Sequence, residues 1–435
     1  MGHPSADPPV GILPAAVSSA SMPRPPSSVS SGPDERSALF GPPTTLERDL
    51  WARPESRLLL LSARTCPPPL TKATEGVDWP TFRKLVFAHR LVPHVARSLS
   101  EVPTVPSAFC HALQQAEADN AWRQLEMARV LTVVLGALGE AGVPALPIKG
   151  PALASWLFGD PARRTSIDLD VLVAPDALAE AFAVVGRIGF ESGGKVRGLT
   201  AAEAEVVATE FQLKDAAFIH PEWRVSLEIH WRPFRDRGLS TLAEGLAADL
   251  RVDTTGLAWR NTRVSAAGAA FVLAHGAMHG YRRLTWLADA AALSERLDEA
   301  AWEEVVALAA ADGFEGAVLL GPYLAHRLLG APVPEAVRPR IEAHLPRLRR
   351  LAGWCLTETP DHERQMHPAT AALGAGLYDR SGDRLRHLWH LLVSPASGEL
   401  AEADLRPGAA ARARRIAARP ARLVRNGARW VTGQR

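Results

Sequence analysis

From about Leu46 to Gly142, apolar residues recur every three or four positions, the repeat of helices that bury one face. The clearest stretch is Ser107 to Gly142. There Leu113, Trp122, Leu125, Val130, Val133, Val134 and Leu138 keep helical spacing, and Gly142 with Pro144 stops it. The rhythm then changes. Ala145–Ile148 is a short apolar run, Pro151–Phe158 a short helix, and Ile167–Val173 a run rich in strand formers. Asp176–Gly189 alternates as an amphipathic helix. Glu210–Ile219 and Arg224–Trp231 predict two strands joined by the turn-like His220-Pro221-Glu222. Strands interleaved with helices over this span describe a small α/β unit. From Ser240 to about Leu392 the helical repeat returns, broken at Gly330–Pro334 and Pro360.

The pattern therefore predicts an α-rich α+β protein, a small mixed sheet with helices flanked by helical N- and C-terminal regions. Its expected divisions are a leader (1–45), a helical region (46–142), the sheet-bearing core (143–238), a helical C-terminal domain (239–400) and a tail (401–435). At 435 residues and 47% hydrophobic, the chain supports two or three cores. The leader holds ten prolines and nine serines without apolar periodicity, and reads as disordered. A formal net charge of +2 argues against a protein that coats nucleic acid with uniform positive charge. That total hides a split, because residues 406–435 carry nine arginines and no acid, leaving −7 on everything before them. The arginines from Arg412 to Arg429, interleaved with Ile416, Leu423, Val424 and Trp430, predict a basic amphipathic helix. Contact with RNA, with an anionic membrane or with an acidic partner such as the body, and a merely solvated end, all remain open for it.

Cys66, Cys110 and Cys355 are scattered and form no Cys-x-x-Cys pair, which excludes a disulfide framework or a cysteine-rich zinc site. No signal-peptide pattern opens the chain, and the most apolar window, Val130 to Ile148, contains Glu140 and two prolines. A cytoplasmic protein without stable membrane insertion is expected.

The strongest chemical signal is Arg163-Arg164-Thr165-Ser166-Ile167-Asp168-Leu169-Asp170-Val171-Leu172-Val173. Side chains alternate along a strand, so Asp168 and Asp170 share one face while Ile167, Leu169 and Val171 take the other. Two adjacent carboxylates repel unless a cation lies between them, and hard divalent ions such as Mg²⁺ favour oxygen ligands. The alternative is a solvated edge strand, which the apolar flanks oppose. Val225–Trp231 alternates in the same way and puts Ser226, Glu228 and His230 on one face. Pairing of the two strands would bring Glu228 to Asp168 and Asp170, and three carboxylates can hold the two ions of an in-line phosphoryl or nucleotidyl displacement. Glu228 can also accept a proton from the attacking group. Upstream, Lys149-Gly150-Pro151 lies between a strand and a helix, where a lysine and free helix-start N–H groups suit a phosphate. By contrast, Gly189–Lys195 has the spacing of a P-loop, but Val196 stands where Ser or Thr must hold Mg²⁺, and a helical run precedes it.

The segments "IKGPALASWLFGD", "RRTSIDLDVLV", "VSLEIHW" and "LAHGAMHGYRRLTWLADAA" (residues 273–291) together resemble the DNA polymerase β-like nucleotidyltransferase superfamily. More narrowly, they are similar to a bacterial group of uncharacterised nucleotidyltransferases, over roughly residues 107–395. The resemblance implies that Asp168 and Asp170 are metal carboxylates and Glu228 the third, serving a two-metal Mg²⁺ site with a nucleoside triphosphate as substrate. Lys149 and Gly150 stand where many members carry Gly-Ser at the nucleotide phosphates. Arg163 or Arg164, with Ser166, is implied at a phosphate. The helix bearing His275 and His279 either closes over the nucleotide or acceptor, or simply packs. His230 either hydrogen-bonds a carboxylate or packs. The function expected is nucleoside monophosphate transfer to a small-molecule, peptide or other acceptor hydroxyl or phosphate. A toxin-like transferase acting on tRNA or protein, and a catalytically silent nucleotide-binding protein, are the alternatives.

Overall fold

The computed structural model describes residues 39–192, 200–210, 213–236, 238–250, 259, 263–355, 373–393 and 408–417. Four short helices open this body: α1 (Thr45–Ala52), α2 (Pro54–Ser62), α3 (Trp79–Ala88) and α4 (Val92–Leu99). Thr44 and Glu47 close a reciprocal capping box on α1, satisfying two N–H groups that the first turn leaves without partners. The packed body begins before Leu46, for Phe40 is buried between Tyr323 and His326, at ring distances of 5.7 and 5.6 Å. The leader from 1 to 38 lies outside the described residues.

The long helix α5 spans Ser107–Glu140. Its first half joins the core of the flanking helices through Phe109 and Leu113. Its second half, from Met127 to Leu138, lies against the sheet. Trp122, 77% exposed, and Leu125 belong to the solvent side, although their spacing predicts burial. Residues 122, 125 and 129 share one face of the helix, whereas the packing is done by Met127, Leu131 and Leu135.

The sheet comprises β1 (Ala145–Pro147), β2 (Asp168–Val173), β3 (Glu191–Ser192), β4 (Asp215–His220) and β5 (Val225–His230), ordered β1-β2-β5-β4-β3. β2 and β5 run parallel in the centre, and the other pairings are antiparallel. Helices α6 (Gly150–Phe158), α7 (Leu178–Arg187) and α8 (Ala201–Glu210) lie in the connections. Glu210 thus ends a helix, and the strand expected from that residue begins at Asp215. The cause is local: Thr200 and Glu203 exchange hydrogen bonds as a capping box and start α8. Leu169, Val171, Leu227, Ile229, Ala216 and Phe218 turn one face of the sheet toward α5, α7 and α8. The carboxylates occupy the other face. Gly193–Lys195 of the glycine-rich segment lie outside the described residues.

After the sheet come α9 (Ser240–Leu250), α10 (Ala266–Met278), α11 (Leu284–Arg296), α12 (Glu299–Ala311), α13 (Glu315–Leu324), α14 (Arg338–Trp354) and α15 (Ser381–Val393). α9 to α14 share one continuous core with α1 to α4, so helices from both sides of the sheet-bearing segment form a single packed mass. Ala409–Ala417, here α16, is helical within the arginine-rich tail; 418–435 lie outside the described residues. No described helix is long and apolar enough to cross a membrane. Cys66, Cys110 and Cys355 are free thiols.

Candidate active site

The site grows from the parallel pairing of β2 and β5, whose register sets Asp170 beside Glu228 and Leu172 beside His230. Alternation then places Asp168, Asp170, Glu228 and His230 on the face away from the sheet core. Ligand atoms of Asp170, Glu228 and His230 all lie within 4.8 Å of one another. His230 Nε2 is 3.0 Å from Asp170 Oδ1 and 3.3 Å from Glu228 Oε2. Burial and the Lys214 charge oppose a proton on this imidazole, yet its bonds to the two carboxylates raise its pKa above the ordinary value.

Lys149 reaches the same oxygen, its Nζ 2.7 Å from Asp170 Oδ1. The backbone explains the reach. Ile148 N donates to Asp170 O at 3.1 Å, and Gly150 then turns at φ +65° into α6. Burial pushes the Asp170 pKa up, but the Lys149 charge and the His230 hydrogen bond hold it far below the usual carboxylate range. Asp168 behaves in the opposite way. Burial and the neighbouring Asp170 charge raise its pKa despite Lys149, and no hydrogen bond or ion pair reaches its carboxylate among the described residues.

A half-buried carboxylate without a partner, beside two carboxylates and an imidazole at ligand spacing, fits a hard divalent cation. Asp168, Asp170 and Glu228 supply oxygen donors, with His230 behind them. The start of β4 adds two groups that the sequence did not single out, Asp215 and, just before the strand, Lys214. They pair with each other, and Lys214 Nζ lies 4.0 Å from Glu228 while Asp215 lies 3.9 Å from His230 Nδ1. Their signal was a charged pair opening a strand next to β5.

The remaining candidates separate. Arg164 is buried, clamps Asp289 of α11 through Nε and Nη2 at 2.9 and 3.0 Å, and donates to Ser166 Oγ at 2.9 Å. This triad, with Gln124 bonded to Ser166 O, fixes the turn that launches β2. Both donor edges of Arg164 are thereby occupied. Arg163 lies over Phe158, 6.0 Å from its centroid. His275 and His279 stand 4.5 Å apart on one face of α10, and both pack against Trp286. Burial lowers both pKa values, to about 3 for His279, with the Lys149 charge contributing to each.

No curated protein and no solved structure matches the chain. Residues 75–330 do match the model of a family described as uncharacterised nucleotidyltransferase, which takes in the sheet, α10, α11 and part of the N-terminal helices. That span is more than half of the chain, and the protein therefore belongs to this family of nucleotide-transferring enzymes.

Proposed function

We propose that the protein is a Mg²⁺-dependent nucleotidyltransferase that moves a nucleoside monophosphate from an NTP to a small-molecule or peptide acceptor. The observation that carries this reading is the β2–β5 register, which sets Glu228 beside Asp170 on the face shared with Asp168. Bound by these acids, Mg²⁺ supplies positive charge to the polyphosphate and acidifies the attacking hydroxyl. Lys149 and the first turn of α6 face the phosphates, where an ammonium and unpaired N–H groups favour anions. Glu228 takes the acceptor's proton. The acceptor oxygen bonds to the α-phosphorus, the α–β bridge breaks, and pyrophosphate leaves with that electron pair. His230 holds Asp170 and Glu228 in place and keeps water from their inner edges. The negative charge outside the tail opposes a long nucleic acid as acceptor.

Transfer from α-labelled NTP into cell extract, with pyrophosphate release, tests this reading. Asp170→Asn and Glu228→Gln are expected to reduce transfer at least 100-fold, on the order of or beyond what removing groups behind a metal ligand costs. Absence of pyrophosphate release by the wild type with any extract, together with NTP binding that ignores both substitutions, would overturn it.

A further inference from the structure

Arg90 is the one charged side chain from the α3–α4 turn that approaches the carboxylate cleft, and nothing in the sequence pattern marks it. Its backbone lies at φ +57°, the left-handed turn that caps α3, where Arg90 N–H donates to Phe87 O at 3.1 Å and Leu91 N–H to Val86 O at 3.0 Å. His89 ties this turn to the start of α11. Its ring Nδ1 accepts the Leu284 N–H at 3.2 Å, and its carbonyl accepts the Thr285 N–H at 3.3 Å. The first two N–H groups of α11 are thus satisfied by the N-terminal region, and residue 90 is pinned beside Arg283, the residue before α11.

The charge pattern is unusual. Arg90 is half-buried, with Arg283, Arg164 and Asp168 close enough to act on its charge. Burial and the Arg283 charge pull its pKa down to about 10, against the attraction of Asp168. Its guanidinium makes no hydrogen bond or ion pair among the described residues. A partly buried guanidinium with its donors unpaired, beside Arg283 and Arg164, suits a further anion, and five N–H donors in a planar fork match phosphate oxygens.

We propose that Arg90 binds the polyphosphate of the incoming nucleotide, so that the N-terminal helices complete the substrate site. This rests on the transferase reading of the cleft. It adds that the triphosphate is gripped between two parts of the fold, the start of α6 and the α3–α4 turn.

Calorimetric titration of the full chain with inorganic tripolyphosphate and Mg²⁺ gives a readout independent of base and acceptor. Arg90→Asn suits the left-handed backbone and removes the charge, Arg90→Lys keeps the charge without the fork, and Arg83→Gln removes a charge from α3 away from the cleft. Arg90→Asn is expected to weaken tripolyphosphate on the order of 10- to 100-fold, the scale of a charge-assisted hydrogen bond or two. Arg90→Lys should fall between it and the wild type, and Arg83→Gln within about twofold of wild type. Thermal melting verifies that each variant is folded. Equal tripolyphosphate binding by wild type and Arg90→Asn, while the wild type still releases pyrophosphate from NTP, overturns the assignment of Arg90 alone. A change confined to the acceptor's KM also overturns it. A folded wild type that binds neither tripolyphosphate nor NTP removes the transferase reading and this one together.

Discussion

Gly150 lies at φ +65° between Lys149 and the rest of α6, and the chain turns there so that the ammonium reaches Asp170. A methyl group at this position would meet Asp168 O at 3.6 Å and Leu169 Cδ2 at 3.8 Å, ordinary contact distances. Space is therefore not the constraint; the left-handed backbone is. Gly150→Ala is expected to lose about 1–2 kcal/mol of stability, the cost of that conformation for an L-residue. It should also weaken tripolyphosphate binding, because relaxing the turn swings Lys149 off its oxygen. Urea unfolding and titration of the same variant measure both effects. Unchanged binding in a destabilised variant would separate the turn from the position of Lys149. The acids themselves were legible in the sequence because alternation along a strand assigns faces without knowledge of the fold. Asp168, Asp170, Glu228 and His230 needed only the correct strand. Lys214 and Arg90 were not legible, since what brings each to the cleft is contact between segments distant in the chain.

α15 contributes no described residue to the apolar core and is held instead by a small polar cluster. Asp236, six residues beyond β5, shows how. Its Oδ2 accepts from Tyr378 Oη and lies 2.6 Å from His387 Nδ1, while Oδ1 accepts the Gly238 N–H at 2.8 Å. These bonds latch α15 and the residues before it onto the chain leaving the sheet. Burial pushes the Asp236 carboxyl up, but the bonds from His387, Tyr378 and Gly238 outweigh it and bring the pKa to about 2 from an ordinary 3.8. The pKa is depressed on folding, so the latch's contribution is complete above about pH 4 and is lost as pH falls through about 2. Over that window it amounts to about 2 kcal/mol. The stability difference between wild type and Asp236→Asn, followed by urea titration from pH 6 to pH 2, is expected to shrink toward zero at the acid end. A difference that stays constant across the window would mean the carboxylate charge does not hold α15. The helix periodicity of α5 and the strands β2 and β5 were readable because each is a local repeat. The start of α8 was also local, carried by Thr200 and Glu203, but its alanine-rich body has little apolar contrast to reveal it. The Asp236 latch joins residues about 150 apart and leaves no trace in any local window.

At the scale of the whole molecule, the N-terminal helices and the helices after the sheet are one body. Their shared core runs from Phe40 to Tyr378, and Glu47 of α1 meets Arg327 across 280 residues of chain in a two-pronged ion pair, both bonds 2.9 Å. Arg327 also donates to Gly41 O, and burial raises the Glu47 pKa less than Arg327 and the Thr44 cap lower it. A buried pair of this kind adds little over an apolar replacement, but breaking it strands a charge. Arg327→Met is therefore expected to cost about 3–5 kcal/mol, and Glu47→Gln in the same chain to recover much of the loss. If one body carries both regions, the loss spreads. Amides of α2 to α4 and of α10 to α13 should lose hydrogen-exchange protection together, while those of β2 and β5, in the separate sheet core, lose less. The Arg90 turn rides on α3 and α4, so the same opening should reduce tripolyphosphate affinity although no group in the cleft has changed. Protection lost in α1 and α2 alone, with affinity intact, would show that the N-terminal helices can part from the body without disturbing the site.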